Sequence, residues 1–91
     1  MAVRVETIDT EVRHFLAENF ILDDDGAGLA ADASLTQAGV LDSMGVLELI
    51  MFIEQQYGLT IPDEDTLPEN LDSVARIVAY VSGRLGVESS G

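Results

Sequence analysis

The chain contains no cysteine, no tryptophan and no lysine among its 91 residues. Without cysteine there is no disulfide framework, no thiolate metal site and no cysteine nucleophile. At this length the chain is expected to form one small domain with a modest core, too short for most enzyme architectures.

Positive charge is also scarce, because four arginines face 17 acidic residues and give a formal net charge of −13. Nucleic-acid binding depends on Lys and Arg side chains that neutralise phosphates, so this balance argues against a nucleic-acid partner. It favours partners with basic surfaces, reached by electrostatic steering that added salt weakens. Plain solubility would explain the same charge, and composition leaves both interpretations open.

Long hydrophobic runs are missing as well. The longest apolar stretch, Leu49 to Ile53, is far shorter than the roughly 18 residues needed to span a bilayer. Met1 to Glu11 has no basic stretch followed by an apolar region, so no signal peptide is expected. These absences predict a protein without a membrane span and with a cytoplasmic location.

Apolar residues recur at helical spacing in three stretches of the chain. The first stretch predicts a helix over Thr7 to Phe20, and the second predicts a helix over Ser43 to Tyr57. The third stretch, Val74 to Leu85, predicts a final helix with Asp72 or Ser73 as its N-cap.

The connection between the first two predicted helices is long. The run Asp23 to Gly28, acidic and then rich in glycine, ends the first helix. Leu35 and Val40 are expected to hold the rest of the connection against the core, and Ser34 to Gln37 to form one helical turn. Long loops without such support are uncommon in compact domains.

Glycine and proline mark the remaining boundaries. Gly58 is expected to end the second helix. Pro62 then suits the first position of a short helix, Asp63 to Leu67, which Pro68 closes. No strand is predicted, so the fold class is all-α: a small four-helix bundle of three main helices and one short helix, with a long first loop.

Ser43 lies directly ahead of the second amphipathic run, within Gly39-Val40-Leu41-Asp42-Ser43-Met44. A serine at the start of a helix places its hydroxyl beside free backbone N–H groups and the positive end of the helix dipole, which suits a phosphate ester. Serine and aspartate both cap helices well, so simple capping remains an alternative for Ser43 and for Asp42.

The run Leu41 to Leu49 resembles the attachment site of acyl carrier proteins. The resemblance covers about Thr7 to Leu85 and is carried by pieces that match in order and spacing: Asp32-Ala33-Ser34-Leu35, Gly39, Asp42-Ser43-Met44, Val46 to Met51, Ile53-Glu54, Tyr57, Ile61-Pro62-Asp63-Glu64 and Ser73-Val74. It implies a bundle of acyl-carrier type over residues 1–86, followed by a flexible tail at 87–91.

This resemblance implies a mechanism. Ser43 would carry a 4'-phosphopantetheine arm, moved from coenzyme A by a phosphopantetheinyl transferase. The thiol of the arm would hold an acyl or aminoacyl group as a thioester, which partner synthases or ligases with basic docking surfaces load and unload. The protein itself would catalyse nothing and would act as a monomer. Asp42 is expected to position the serine for the transferase and its magnesium ion, and Met44 and Ile61 to flank the arm.

Partner-binding residues are expected on and after the second helix. Glu48 and Glu54 lie six residues apart, on roughly one side of the helix, where they could meet Arg or Lys of a partner. Met51 and Ile61 complete the predicted partner-binding set, and Ile61 also suits the core. An ordinary solvated face is the alternative for the two glutamates.

Some positions differ from those of fatty-acid carriers. Two residues separate Gly39 from Asp42, one more than in those members, and this spacing is similar to that of D-alanyl and aminoacyl carriers loaded by adenylating ligases. Gly45 and Gln55-Gln56 stand where many fatty-acid carriers have acidic residues. An aminoacyl carrier is therefore the alternative within the family, and an acidic helical adaptor or a divalent-ion-binding module, with an unmodified Ser43, is the alternative outside it.

Two other functions have partial matches in the sequence. An EF-hand loop around Asp23 would put Ile21 at its first ligand position and Asp32 at its last, which spoils the ligand set, although weak divalent-ion binding to the acidic run stays open. A serine hydrolase using Ser43 would need His14, the sole histidine, as its base and a strand before the nucleophile. No strand is predicted, so the sequence does not favour a hydrolase.

Overall fold

The computed structural model describes residues 4–20, apart from the side chain of Phe20, and residues 30–86. This part of the chain forms four α-helices, α1 Val5–Phe20, α2 Ser43–Tyr57, α3 Pro68–Leu71 and α4 Val74–Leu85, with a 3₁₀ turn at Asp63–Asp65 and no strand. The predicted all-α four-helix bundle with one short helix is confirmed. No helix within these residues is long and apolar enough to cross a membrane. Three features of the sequence analysis lie outside the described residues: the predicted break at Asp23–Gly28, most of the EF-hand loop and the tail at 87–91.

Helices α1 and α4 pack against each other and supply much of the core. Helix α1 begins two residues earlier than predicted, and its fully buried side chains, Ile8, Val12 and Leu16, are four residues apart. Helix α4 buries Val74, Ile77, Val78 and Val81 against them. This is the spacing that places one apolar stripe of an amphipathic helix toward the core.

Helix α2 has the bounds that the sequence predicts. It buries Leu49 and Ile53, and it ends at Gly58, whose φ of 66° is the left-handed conformation that glycine adopts without strain. Near that end Phe52 stacks on Phe15 of α1, with ring centroids 4.4 Å apart.

The short third helix differs from the prediction. The chain makes a 3₁₀ turn at Asp63–Asp65, and Pro68 is the first residue of α3 instead of the residue that closes a helix. The first position of a helix needs no N–H partner and suits the fixed φ of proline, so Pro68 starts a helix at no cost. The same rule, applied to Pro62 in the sequence, selected the wrong proline.

Helix α4 is capped by Ser73, whose hydroxyl accepts a hydrogen bond from the Arg76 N–H at 3.1 Å. Asp72, the other predicted cap, instead holds the long loop. Its carboxylate accepts hydrogen bonds from the Ser34 hydroxyl at 2.5 Å, the Thr36 hydroxyl at 2.7 Å and the Thr36 N–H at 3.0 Å. Burial raises the pKa of Asp72, but these hydrogen bonds and the charge of Arg76 outweigh it, so the net shift is downward.

The loop before α2 packs against the core as predicted. Leu35 and Val40 are buried, and the Leu35 N–H donates to the Asp72 carbonyl at 2.7 Å. The Ala38 N–H donates to the Ser34 carbonyl at 3.0 Å, which closes the predicted single helical turn. The loop therefore reaches the start of α2 in a fixed position.

Candidate functional site

The N-terminus of α2 is capped by Asp42. Its backbone is extended, with φ −124° and ψ −171°, and its carboxylate accepts a hydrogen bond from the Gly45 N–H at 2.7 Å. Its carbonyl accepts the Val46 N–H at 2.9 Å, which closes the first helical turn. Aspartate is preferred here because its side chain satisfies one of the N–H groups that a helix start leaves free. Asp42 therefore acts as the N-cap of α2.

Ser43 is the first residue of α2, and it is exposed. Because Asp42 caps the helix, capping does not account for Ser43. Its hydroxyl makes no hydrogen bond to any residue that the structure describes, and the same holds for the N–H groups of Ser43 and Met44. A free hydroxyl beside free N–H groups, at the positive end of the helix dipole, fits an ester-linked phosphate.

Large apolar side chains are exposed around Ser43. We call Met44, Leu47, Met51 and Leu67 the apolar patch; their exposed fractions are 68%, 58%, 57% and 42%. Among the described residues, no other large apolar side chain is exposed to this degree. The first three have i, i+3, i+7 spacing and so share one side of α2. Leu47 and Leu67 were not among the predicted site residues, although the spacing of Leu47 from the two methionines was a signal that could have found it.

The four predicted partner-binding residues fall into two pairs. Glu48 and Met51 are exposed on α2. Glu54 is half-buried, and its carboxylate accepts a hydrogen bond from the Ile61 N–H at 2.8 Å, while the Ile61 side chain is only 6% exposed. Glu54 and Ile61 contact each other and hold the chain that follows α2, so the accessible surface lies at Glu48 and Met51.

The segment after α2 is also held from α4. Arg84 donates to the Thr60 carbonyl at 2.9 Å and to the Tyr80 hydroxyl oxygen at 2.7 Å. The Tyr80 hydroxyl in turn donates to the Asp65 carboxylate at 2.7 Å, and burial together with this hydrogen bond raises the pKa of Tyr80. These bonds hold both ends of the segment 60–65 against α4.

A small cavity of about 80 Å³ lies between the start of α2 and α3. Leu41 and Val46 form its wall on the α2 side, and Leu67 and Leu71 lie opposite. The rest of the lining is Thr36, Thr66, Pro68 and Asp72. The lining is therefore mainly apolar and includes two threonines and one aspartate.

His14 is not placed to assist Ser43. It lies 3.0 Å from Glu18 on α1 and lines a groove of about 500 Å³ together with Phe52 of α2. Phe52 comes nine residues after Ser43, which is about 13 Å along a helix axis. The structure therefore does not support a hydrolase that uses His14 as the base for Ser43. The part of the chain that the structure describes also holds no cluster of three or more His, Cys, Asp or Glu side chains suited to a metal ion.

Comparisons with known proteins bear on this arrangement. A family model described as "Phosphopantetheine attachment site" matches residues 13–81, a span that includes Asp42, Ser43 and all of α2. An acyl carrier protein of Akkermansia muciniphila is 32% identical over 75 residues, which cover 82% of this chain and 89% of that protein. A D-alanyl carrier protein of Streptococcus suis is 38% identical over 50 residues, which cover 55% of this chain and 63% of that one.

Solved structures match as well, and one of them is described here. Its title is "Crystal structure of FAD-dependent dehydrogenase", and the matched chain is 32% identical, with a TM-score of 0.64. The match covers 77% of this chain and 97% of that chain, so the solved chain is itself no longer than a small domain. The fold, the free serine at the start of α2 and the matched family together support a covalently attached 4'-phosphopantetheine group. The chain belongs to the family of phosphopantetheine-binding carrier proteins.

Proposed function

We propose that Ser43 is the attachment residue and that the protein carries acyl groups as thioesters without catalysing a reaction itself. The observation that supports this most is the Ser43 hydroxyl, exposed at the first position of α2 while the neighbouring Asp42 caps the helix. The attached arm supplies the thiol, which this chain lacks because it has no cysteine. Family membership implies a phosphopantetheinyl transferase and a loading enzyme as partners.

Asp42 is proposed to assist the transferase in addition to capping α2. One of its carboxylate oxygens accepts the Gly45 N–H, and the other has no hydrogen bond to a described residue. The residue can therefore keep its cap while the second oxygen helps to position Ser43 and the magnesium ion of the transferase.

Partner enzymes are proposed to dock on the apolar patch, with Met44 and Met51 near the centre and Glu48 beside them. Glu48 is the one charged side chain of α2 that is exposed, since Glu54 is engaged with Ile61. For Glu54 and Ile61 we propose the supporting role of holding residues 59–62 beside the site. A partner would then need an apolar contact area and a cation within reach of Glu48.

The test of the carrier function is the intact mass of the folded protein after incubation with coenzyme A and a promiscuous phosphopantetheinyl transferase. The expected result is a gain of one phosphopantetheinyl group, absent in Ser43→Ala. If folded wild-type protein gains no mass, Ser43 is not an attachment residue and the adaptor alternative moves forward. If Ser43→Ala gains the same mass as wild type, the group is attached at another residue.

An aminoacyl cargo is the second candidate. It is favoured by the match to D-alanyl carriers and by the two residues between Gly39 and Asp42. The holo protein can be offered D-alanine and ATP with a D-alanyl carrier ligase, and in parallel malonyl-coenzyme A with a malonyl transferase. A thioester mass only in the first reaction assigns the aminoacyl function, and one only in the second assigns the acyl function.

A further inference from the structure

The sulfur atoms of the described residues share one surface. The sequence has three methionines and no cysteine. Met44 and Met51 have exposed fractions of 68% and 57%, and both lie on α2 within the apolar patch. The third methionine, Met1, lies outside the described residues. The part of the protein that the structure describes therefore presents two methionine side chains, and small oxidants in solution can reach both.

The two methionines are spaced so that one partner contact would cover both. They are seven residues apart, which is two turns or roughly 10 Å along the helix axis, and they share one side of α2. Leu47 lies between them with a similar exposed fraction, 58%, but without a sulfur atom. A chemical change at both methionines therefore alters the two ends of this apolar contact area and leaves its middle unchanged.

Neither methionine contributes to the hydrophobic core. The buried cluster and the apolar side chains that pack against it include neither Met44 nor Met51. Oxidation of a buried methionine disrupts a core, because a flexible apolar side chain becomes polar. At these two positions the new S=O group stays in water, so the fold should keep its stability. The folded chain can then be oxidised and reduced again.

We propose that Met44 and Met51 are sites of reversible oxidation to methionine sulfoxide, and that their oxidation weakens partner docking while the carrier stays folded. The effect on docking rests on the proposed contact at the apolar patch. The thioether sulfur attacks one oxygen of hydrogen peroxide; the O–O bond breaks, an S=O bond forms and water leaves. The sulfur loses two electrons and the peroxide gains them. A dithiol-dependent sulfoxide reductase reverses the step, and its two thiols become a disulfide as water is released.

Docking is sensitive to this change because the sulfoxide oxygen is a hydrogen-bond acceptor. An apolar partner surface removes water from that oxygen without replacing its hydrogen bonds, and such unpaired burial is unfavourable. The exposed carboxylate of Glu48, on the same helix, is not altered by peroxide. The oxidised protein therefore keeps its electrostatic attraction to a partner and loses apolar contact. The expected result is a higher KM with little change in kcat.

The experiment uses the folded apo protein, which has no thiol because it lacks both cysteine and the arm. Hydrogen peroxide is applied and then removed before a phosphopantetheinyl transferase and coenzyme A are added. Peptide masses should show one added oxygen at each of Met44 and Met51. The KM of the transferase for the carrier should rise about tenfold, while kcat and the melting temperature of the carrier stay nearly the same. A methionine sulfoxide reductase with dithiothreitol should restore the original KM.

The matched control is the double variant Met44→Leu, Met51→Leu, which retains Met1 as its only sulfur. It is compared with itself before and after peroxide, and its KM should not change, whatever its starting value. A comparable rise of KM in this variant would overturn the proposal, because the loss would then come from another group.

Three results in wild type would also overturn the proposal: no added oxygen at Met44 and Met51, an unchanged KM after complete oxidation, or a clear fall in the melting temperature. Failure of the untreated folded protein to gain an arm would instead overturn attachment at Ser43 and the docking step with it. The peptide masses and melting temperatures would still decide whether these two methionines are the oxidation sites of a stable fold.

Discussion

The two ends of α2 differ in how they are joined to the rest of the molecule. At the C-terminal end the Tyr57 hydroxyl donates to Glu11 at 2.7 Å, Gln56 donates to the same carboxylate at 3.2 Å, and Phe52 stacks on Phe15. At the N-terminal end the Ser43 hydroxyl has no partner among the described residues, and Met44 is largely exposed. We call the C-terminal end of α2 the anchored end, because contacts with α1 hold it. We call the N-terminal end the displayed end, because its side chains are exposed. The effects of substitution should follow this division.

Truncating one apolar side chain at each end of α2 should give the largest difference in the free energy of unfolding. Phe52→Ala removes the ring stacked on Phe15 and should lower the free energy of unfolding by about 2–3 kcal/mol, somewhat less than for a fully buried ring. Leu47→Ala, at an exposed position, should change it by less than about 0.5 kcal/mol. Urea unfolding monitored by circular dichroism measures both. Equal losses would show that the two ends are anchored alike.

The start of α2 should depend on Asp42 and not on Ser43. Asp42→Ala should cost about 1 kcal/mol, because the Gly45 N–H loses its capping carboxylate. Asp42→Asn should retain most of the stability, since asparagine caps about as well. Ser43→Ala serves as the neighbouring control and should remain close to wild type in thermal unfolding. A larger loss for Ser43→Ala than for Asp42→Ala would mean that the cap is assigned to the wrong residue.

Alkaline pH should weaken the anchored end. Burial, the hydrogen bond to Glu11 and the charge of Glu11 all raise the pKa of Tyr57 in the folded protein. A raised folded pKa means that the stabilisation is complete below the unfolded value of about 10 and is lost as pH rises above it. Melting temperatures measured across pH 9 to 12 should therefore fall more steeply for wild type than for Tyr57→Phe. Identical slopes would contradict the assigned role of Tyr57.

Charge reversal at the displayed end should change function more than stability. Glu48→Lys adds the wrong charge to the proposed docking surface and should slow loading by a partner enzyme about threefold to tenfold, with little change in melting temperature. Glu69→Lys, exposed on α3 outside the apolar patch, is the matched control and should load at nearly the wild-type rate. Loading rates that do not differ between the two variants would remove Glu48 from the interface.

Added salt should have the smallest effect. A net charge of −13 makes the folded chain repel itself, so salt or magnesium should raise the melting temperature by a few degrees. A midpoint that does not move with added salt or magnesium would show that self-repulsion does not limit the stability of this fold.

The features that the sequence predicted correctly are local ones. The bounds of α2 follow from an apolar period and from Gly58, and the cap of α4 follows from Ser73, all of which lie within a few residues of the structure that they determine. The position of Ser43 at the start of a helix was predicted in the same way. Which of Asp42 and Ser43 is the N-cap could be decided only from the structure, because moving the helix start by one residue exchanges the two assignments.

The features that the sequence missed depend on contacts between distant positions. Asp72 looked like a cap, yet its carboxylate binds Thr36, 36 residues earlier in the chain. Glu54 has the spacing of an exposed helix residue, but the turn after α2 brings the Ile61 N–H to its carboxylate. The cavity beside Ser43 has walls from three separate segments, and no local pattern marks such a space.

The separate roles of Asp42 and Ser43 affect the order in which the protein folds and is modified. Because the neighbouring carboxylate starts the helix, converting the serine hydroxyl to an ester breaks no hydrogen bond on which folding depends. The chain can therefore fold completely before it is modified, and a transferase meets a finished helix instead of a disordered peptide. Removal of the group by a hydrolase would likewise return a folded chain, ready for another round of modification.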